Sequence, residues 1–265
     1  MSNILIIGGG NSGSRYCNSL LLFSDHRIFL CSQRVNGKTY ELAKKYGLIF
    51  FLFNELRNRI NEFDVIILSI PIKEKKNVLE KILIDWKYRN KLILEKPMAL
   101  SENECMCLEK MLQINGNSYI IGYQKRYFWN IEIEKNNDLE IYYPSIKGKR
   151  YIIHNLAHAL DLCMKILNIK TLVIEECIKY EQSCFFICRY DKGNVKILID
   201  QTEDIKKEIA INGKSVPWPS LEVYSNMVQM LLDSKIENYI CRDIEIARIL
   251  SEYSDLYEGD SDVEK

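Results

Sequence analysis

The sequence predicts an α/β fold, with an N-terminal, doubly wound parallel sheet followed by a smaller α+β domain whose open sheet is mostly antiparallel. Three observations carry this expectation. Over the first 122 residues short β-branched runs alternate with helix-patterned stretches, the rhythm of βαβ units. A glycine-rich turn, Gly8-Gly9-Gly10-Asn11-Ser12-Gly13, follows the first apolar run and opens a helical pattern. After Tyr123 the pattern changes to an irregular stretch, one strong helix, a strand-rich segment and two closing helices.

In chain order, strands are expected at residues 3–7, 27–31, 49–51, 65–69, 92–94 and 119–122, and helices at 14–22, 38–46, 73–85 and 101–113. Ser101 followed by Glu104 is a capping-box pattern that starts the last of these helices. The second half is expected to hold a helix at 154–167 and strands at 171–179, 183–190 and 195–201, with Asp191 to Asn194 as a hairpin turn. A fourth strand at 206–211 follows, and Pro217 and Pro219 around Trp218 break the chain before helices at 221–233 and 243–257. The boundaries implied are 1–122 for the first domain, 123–257 for the second and 258–265 for a solvated acidic tail.

Composition bounds what such a chain can do. Its 265 residues carry 36 Lys+Arg against 36 Asp+Glu, and 47% are apolar, enough for a real core and incompatible with disorder as the main state. Zero net charge removes the basic footprint of a nucleic-acid binder, leaving small molecules or proteins as partners. Nine cysteines, an odd number with no CxxC pair, read as thiols in a reducing compartment rather than a disulfide framework. No apolar run approaches the roughly 18 residues of a membrane span, and the run before Gly8 is too short for a signal peptide, so a cytoplasmic location is expected.

The glycine turn supplies the first chemistry. Gly8 permits a tight turn, Gly10 lets backbone approach a pyrophosphate, and Gly13 lets helix pack closely on strand. Asn11, Ser12 and Gly13 at the helix start offer free N–H groups. A purely structural glycine turn is the alternative; the setting between strand and helix favours a dinucleotide. The second expected strand ends Cys31-Ser32-Gln33-Arg34, with no carboxylate until Glu41. An acidic residue there would bind the ribose hydroxyl of NAD, whereas Ser32 and Arg34 suit the 2′-phosphate of NADP, so NADP is favoured, with NAD and a merely solvated loop arginine as the alternatives.

Two further signals follow. Glu95-Lys96-Pro97 ends the fifth strand, where a doubly wound sheet delivers residues to its ligand crevice. Lys96 could give a proton to a carbonyl being reduced, Glu95 could orient it, and the alternative is a surface lysine. His154, His158 and Asp161, at i, i+4 and i+7, share one helix face and include two of the protein's three histidines. The His-x-x-x-His spacing also suits zinc, but Asn155 stands where a zinc hydrolase needs its glutamate base; a satisfied structural histidine pair is the other alternative, proton transfer is preferred and no metal is expected.

Joined in this order, the glycine loop, the Asp64 to Pro71 strand, Glu95-Lys96-Pro97, the Gly122 to Tyr127 crossover and His158-Ala159-Leu160-Asp161 resemble the glucose–fructose oxidoreductase / inositol dehydrogenase / rhizopine catabolism (Gfo/Idh/MocA) family. The resemblance implies a Rossmann domain followed by an α+β domain whose sheet covers the active site and builds homodimers or homotetramers. It further implies hydride transfer between a nicotinamide and a hydroxyl or ketone carbon of a sugar, cyclitol or nucleotide sugar. Carried over, Lys96 and His158 match the family's catalytic lysine and histidine, Ser69, Ile70 and Pro71 its loop beside the nicotinamide ribose, and Gln124 a position often Asn near the nicotinamide. His154 stands where the polyol dehydrogenases commonly have Asp, a departure that bears on substrate and direction. Relative to the usual family member, the second domain is expected to be shortened. Reduction of a C=N bond on the same fold, and a cofactor-binding sensor or scaffold without turnover, are the alternatives.

Overall fold

The computed structural model describes residues 1–128, 138–145, 149–180, 183–201, 209–216, 220–234 and 240–253. Trp129, Pro217, Trp218, Pro219, residues 206–208 and the acidic tail lie outside them. The described residues form two compact units, the first from 1–98, 106–124 and 220–234, the second from 99–105, 240–253 and the described residues between 125 and 216.

The first unit begins with β1 (Asn3–Ile7), α1 (Asn11–Phe23), β2 (Arg27–Ser32), α2 (Lys38–Tyr46), β3 (Ile49–Leu52), β4 (Val65–Leu68) and α3 (Ile72–Glu80). It continues through β5 (Lys91–Leu94), the helix α4 (Glu102–Ile114) from Met106 onward and β6 (Tyr119–Ile121). The six strands run parallel in the order β3-β2-β1-β4-β5-β6, so the strand order reverses between β1 and β4. β4 is Val-Ile-Ile-Leu with every residue buried, the unbroken apolar run of a strand covered on both faces. The expected helix at 73–85 is α3 followed by a π-helical turn, Lys81–Asp85, which keeps Ile82 and Leu83 in the core.

The second unit takes the short helix α5 (Gln124–Phe128), split from the first unit after Gln124, then β7 (Leu139–Ser145), α6 (Lys149–Leu167), β8 (Val173–Lys179), β9 (Ser183–Tyr190) and β10 (Gly193–Gln201). A hairpin of β11 (Ile209–Ile211) and β12 (Lys214–Val216) completes a six-stranded sheet ordered β12-β11-β7-β10-β9-β8. All pairs are antiparallel except β7 with β10. The β9–β10 connection is Asp191-Lys192 alone, since Gly193 already pairs with Tyr190. Asn212 (φ 48°) and Gly213 (φ 73°) both take left-handed backbone and close the β11–β12 hairpin, the geometry Asn-Gly favours.

Two helices close the chain, α7 (Val223–Leu232) and α8 (Ile240–Glu252). A single boundary at residue 122 assigns both to the second domain, but α7 packs on α1 in the first unit. The Tyr16 and Tyr224 rings meet edge to face with centroids 4.8 Å apart, the Ser225 N–H donates to Ser19 Oγ (2.9 Å), and Lys91 Nζ donates to the Leu232 carbonyl (2.6 Å). α8 packs instead on α6 in the second unit, where α6 also covers β7 and β10. An amphipathic helix signals that one face is buried; nothing local says against which sheet.

Of the cysteines, Cys17, Cys31, Cys105, Cys163, Cys184 and Cys188 are buried, and burial pushes the Cys17 thiol up to about 11. That suits inert, apolar packing. No helix among the described residues is long and apolar enough to cross a membrane.

Candidate active site

The first unit's chemistry lies along one row. Ile7 pairs with both Cys31 and Leu68, Leu68 with Leu94, and Leu94 with Ile121, so the strand ends are level across the sheet. The next residue of each chain continues the ladder. Gly8 N–H donates to the Cys31 carbonyl (2.9 Å), Ser69 N–H to Ile7 (2.9 Å), Glu95 N–H to Leu68 (3.1 Å) and Gly122 N–H to Leu94 (2.8 Å). The glycine turn, Ser32, Ser69 and the Glu95-Lys96-Pro97 loop therefore leave the sheet side by side at its carboxyl edge, where doubly wound sheets bind ligands.

The three glycines differ in kind. Gly8 has a left-handed φ of 95°, and a Cβ there would collide with the Ser69 carbonyl. A Cβ on Gly13 would collide with the Gly8 carbonyl, whereas one on Gly10 would meet nothing within 4 Å. Gly10 is the N-cap of α1, with no side-chain cap bond and no acidic residue in the first turn, so the helix start is unblocked by side chain or negative charge. These residues fit a dinucleotide diphosphate. Gly9, given no role by the sequence, donates its N–H to Thr39 Oγ1 (2.7 Å), which braces the turn against α2. Gly10→Val is expected to weaken binding of the nicotinamide dinucleotide by at least about tenfold with an unchanged melting temperature, while Gly13→Val costs about 1–3 kcal/mol of stability or more. Fluorescence titration and calorimetry separate the two, and equal melting temperatures would contradict these roles.

Ser32 Oγ–H donates to the Arg34 carbonyl (2.6 Å), so the hydroxyl shapes the loop that carries the exposed Arg34. Ile70 lies against Gly8, Pro71 precedes the first turn of α3, and Gln124 is buried at the start of α5.

Glu95 is buried and Lys96 half-buried, and the Lys96–Pro97 peptide is cis. Burial lowers the Lys96 ammonium to about 8, opposed by Glu95 and assisted by Arg15. Burial pushes the Glu95 carboxyl up, while Lys96, Lys75, Ser12 and Tyr16 hold it down. Lys75, which the sequence reading passed over, donates from Nζ to the carbonyls of Glu95, Pro97 and Met98. Its signal was a lysine on the apolar stripe of α3: Ile72, Lys75, Val78 and Leu79 are the buried positions of that helix.

In the second unit, α6 carries His154, His158 and Asp161, with His154 half-buried and the other two buried. The His158 ring lies nearly parallel to that of Tyr143, with centroids 6.0 Å apart and planes at 8°. Asp161 Oδ1 accepts from Arg126 Nε (2.6 Å), and the same guanidinium pairs with Asp243 (2.7 Å). Burial pushes both carboxyls up and Arg126 pulls them down; Arg126 itself is raised well above its ordinary value. Asp161 is thus engaged in a buried ion cluster joining α5, α6 and α8, a role that needs no part in proton transfer. Arg126 and Asp243 were not singled out by the sequence, although an aspartate on a buried helix face calls for a cation.

Residues 2–123 match the model of the GFO/IDH/MocA family, described as an oxidoreductase family with an NAD-binding Rossmann fold. No curated protein is significantly similar in sequence. Among solved structures, myo-inositol dehydrogenase from Lactobacillus casei, in complex with NAD(H) and myo-inositol, superposes with a TM-score of 0.71 at 11% identity, covering 99% of this chain and 96% of that one. UDP-N-acetylglucosamine 3-dehydrogenase GnnA from Acidithiobacillus ferrooxidans gives 0.71 at 14% identity over 97% and 96%. The WlbA dehydrogenase from Thermus thermophilus, with NAD and UDP-GlcNAcA, gives 0.71 at 13% identity over 95% of each chain. At such identities the superpositions establish the fold.

A parallel sheet of this order with an open glycine turn at its carboxyl edge defines an NAD-binding Rossmann domain, and the chain is an NAD-dependent oxidoreductase. Within that class the domain at residues 2–123 is of the kind described by the Gfo/Idh/MocA family model.

Proposed function

We propose that the protein transfers hydride between NADP(H) and a hydroxyl or ketone carbon of a sugar, cyclitol or nucleotide sugar, with Lys96 and His158 as proton donors or acceptors. The observation that carries this reading is Lys96, half-buried at the carboxyl end of β5 beside Glu95, with its ammonium brought to about 8. A lysine so tuned is substantially protonated near neutrality yet able to release its proton, as a general acid requires. The bound nicotinamide supplies or accepts the hydride. As a carbonyl is reduced, negative charge grows on its oxygen, and Lys96 stabilises that charge and donates the proton; in the oxidative direction it starts deprotonated. His158, fixed on α6 against Tyr143, is assigned the second proton-handling role. The substrate class follows what the fold's relatives act on, myo-inositol and a UDP-sugar among them.

The preference for NADP rests on the loop after β2, which carries exposed Arg34 and offers no carboxylate to repel a 2′-phosphate. NADPH is expected to bind more tightly than NADH, and Arg34→Ala to lose about tenfold for NADPH alone, the worth of one charged hydrogen bond. Tighter NADH binding would reverse the preference. The reaction is tested by incubating the protein with NADP⁺ or NADPH and a panel of cyclitols, UDP-sugars, their keto forms and cyclic imines, following nicotinamide absorbance. Consumption with imines alone would redirect the chemistry to C=N reduction, and binding without any consumption would sink the enzymatic reading of Lys96.

A further inference from the structure

We infer that Lys75 is a positioning residue for the reaction, a buried clamp that holds the loop presenting Lys96. Its side chain is 1% exposed, and its ammonium donates to the carbonyls of Glu95, Pro97 and Met98, two on one side of Lys96 in sequence and one on the other. A single three-donor head thus ties both flanks of the lysine to the first turn of α3. Taking an ammonium out of water is costly, and three carbonyl acceptors aimed at it are the compensation. A surface lysine would contribute nothing of the kind, and an apolar residue on that stripe would leave the loop's carbonyls unmet.

The consequence is geometric. Lys96 follows Glu95 immediately, so a loop freed from Lys75 lets its ammonium move toward water. Misplacing a reacting group by about 1 Å costs on the order of 100-fold in rate. The charged groups facing this corner are Glu95 on the loop, Arg15, which acts on Lys96 from α1, and Lys75, which acts on Glu95 from α3. Ser12 and Tyr16 of α1 also meet Glu95, and Tyr224 of α7 feels both Arg15 and Glu95.

The test is competitive labelling of the protein with trace acetic anhydride across pH, with Lys96 followed by peptide mass spectrometry. It reads the lysine's titration midpoint and needs no substrate. In Lys75→Met the midpoint is expected to move up from about 8 toward the ordinary 10.5, because burial is the largest cause of its depression and the freed loop relieves it. Turnover of the substrate found in the panel falls by about 100-fold with KM little changed. An unmoved midpoint overturns the inference. A midpoint moved down also overturns it, since Lys75 would then act only through its charge on Glu95. Lys75→Gln, which keeps a neutral donor, serves where the Met variant does not fold; failure of both to fold makes Lys75 a stability residue alone and likewise overturns the inference. The turnover arm rests on Lys96 being the proton donor. If Lys96→Met keeps its activity, that reading fails while the labelling of the parent and Lys75 variants still decides the clamp.

Discussion

Lys96→Met is expected to lower the rate of carbonyl reduction by about 100- to 10,000-fold, the contribution of a positioned general acid, while leaving NADPH affinity nearly unchanged. The thioether keeps the side chain's length and apolar stem but cannot donate, and the row of β-strand ends around it is untouched. The parent enzyme's pH profile follows from the same ammonium. In the role proposed for Lys96, reduction uses the protonated form and is expected to decline as pH rises through about 8, whereas oxidation uses the free amine and is expected to rise over that interval. The Met variant loses both limbs. Rates and profiles measured side by side check this, and a variant with parental turnover removes Lys96 from the chemistry.

Arg126→Met is expected to have the largest effect on stability. Arg126 is 2% exposed and bridges two carboxylates that are themselves buried, Asp161 at 1% and Asp243 at 4%. Removing the cation leaves two uncompensated charges facing each other across α6 and α8, a loss of about 3–5 kcal/mol. For a chain of this size that lowers the melting temperature by on the order of 10 °C. Because Lys96 and the glycine turn lie in the other unit, NADPH binding should survive under conditions where the second unit is still folded. A compensated variant, Arg126→Met with Asp161→Asn and Asp243→Asn, should recover part of the loss, since neutral amides can be satisfied without a cation. Calorimetry of the three proteins decides it: a single variant as stable as the parent would show that the cluster contributes nothing net.

The cofactor face was largely legible because its signals are local. A turn that needs glycine, a strand end, and the residue that follows it all occupy a few consecutive positions, and the strand order aligns such ends by rule. Gly8, Gly10 and Gly13 accordingly lie at the turn from β1 into α1. The second unit was less legible. β7 alternates inward Leu139, Ile141 and Tyr143, yet Pro144 near its end argues against a strand, and its parallel neighbour β10 begins only at Gly193. The Asn212-Gly213 turn was a strong hairpin signal, but it joins strands of three residues each, too short for a pattern to declare itself.

What the sequence by itself determined is the sheet, its glycine turn and the delivery of Lys96 to the carboxyl edge, since hydrophobic periodicity and turn chemistry are written in neighbouring residues. What only the tertiary structure decided is which charges meet. Lys75 finds the carbonyl of Glu95 20 residues on, and Arg126 finds Asp161 35 and Asp243 117 residues on. A buried charge must acquire a partner whose position is set by packing, so the sequence can announce the need while the fold alone supplies the answer.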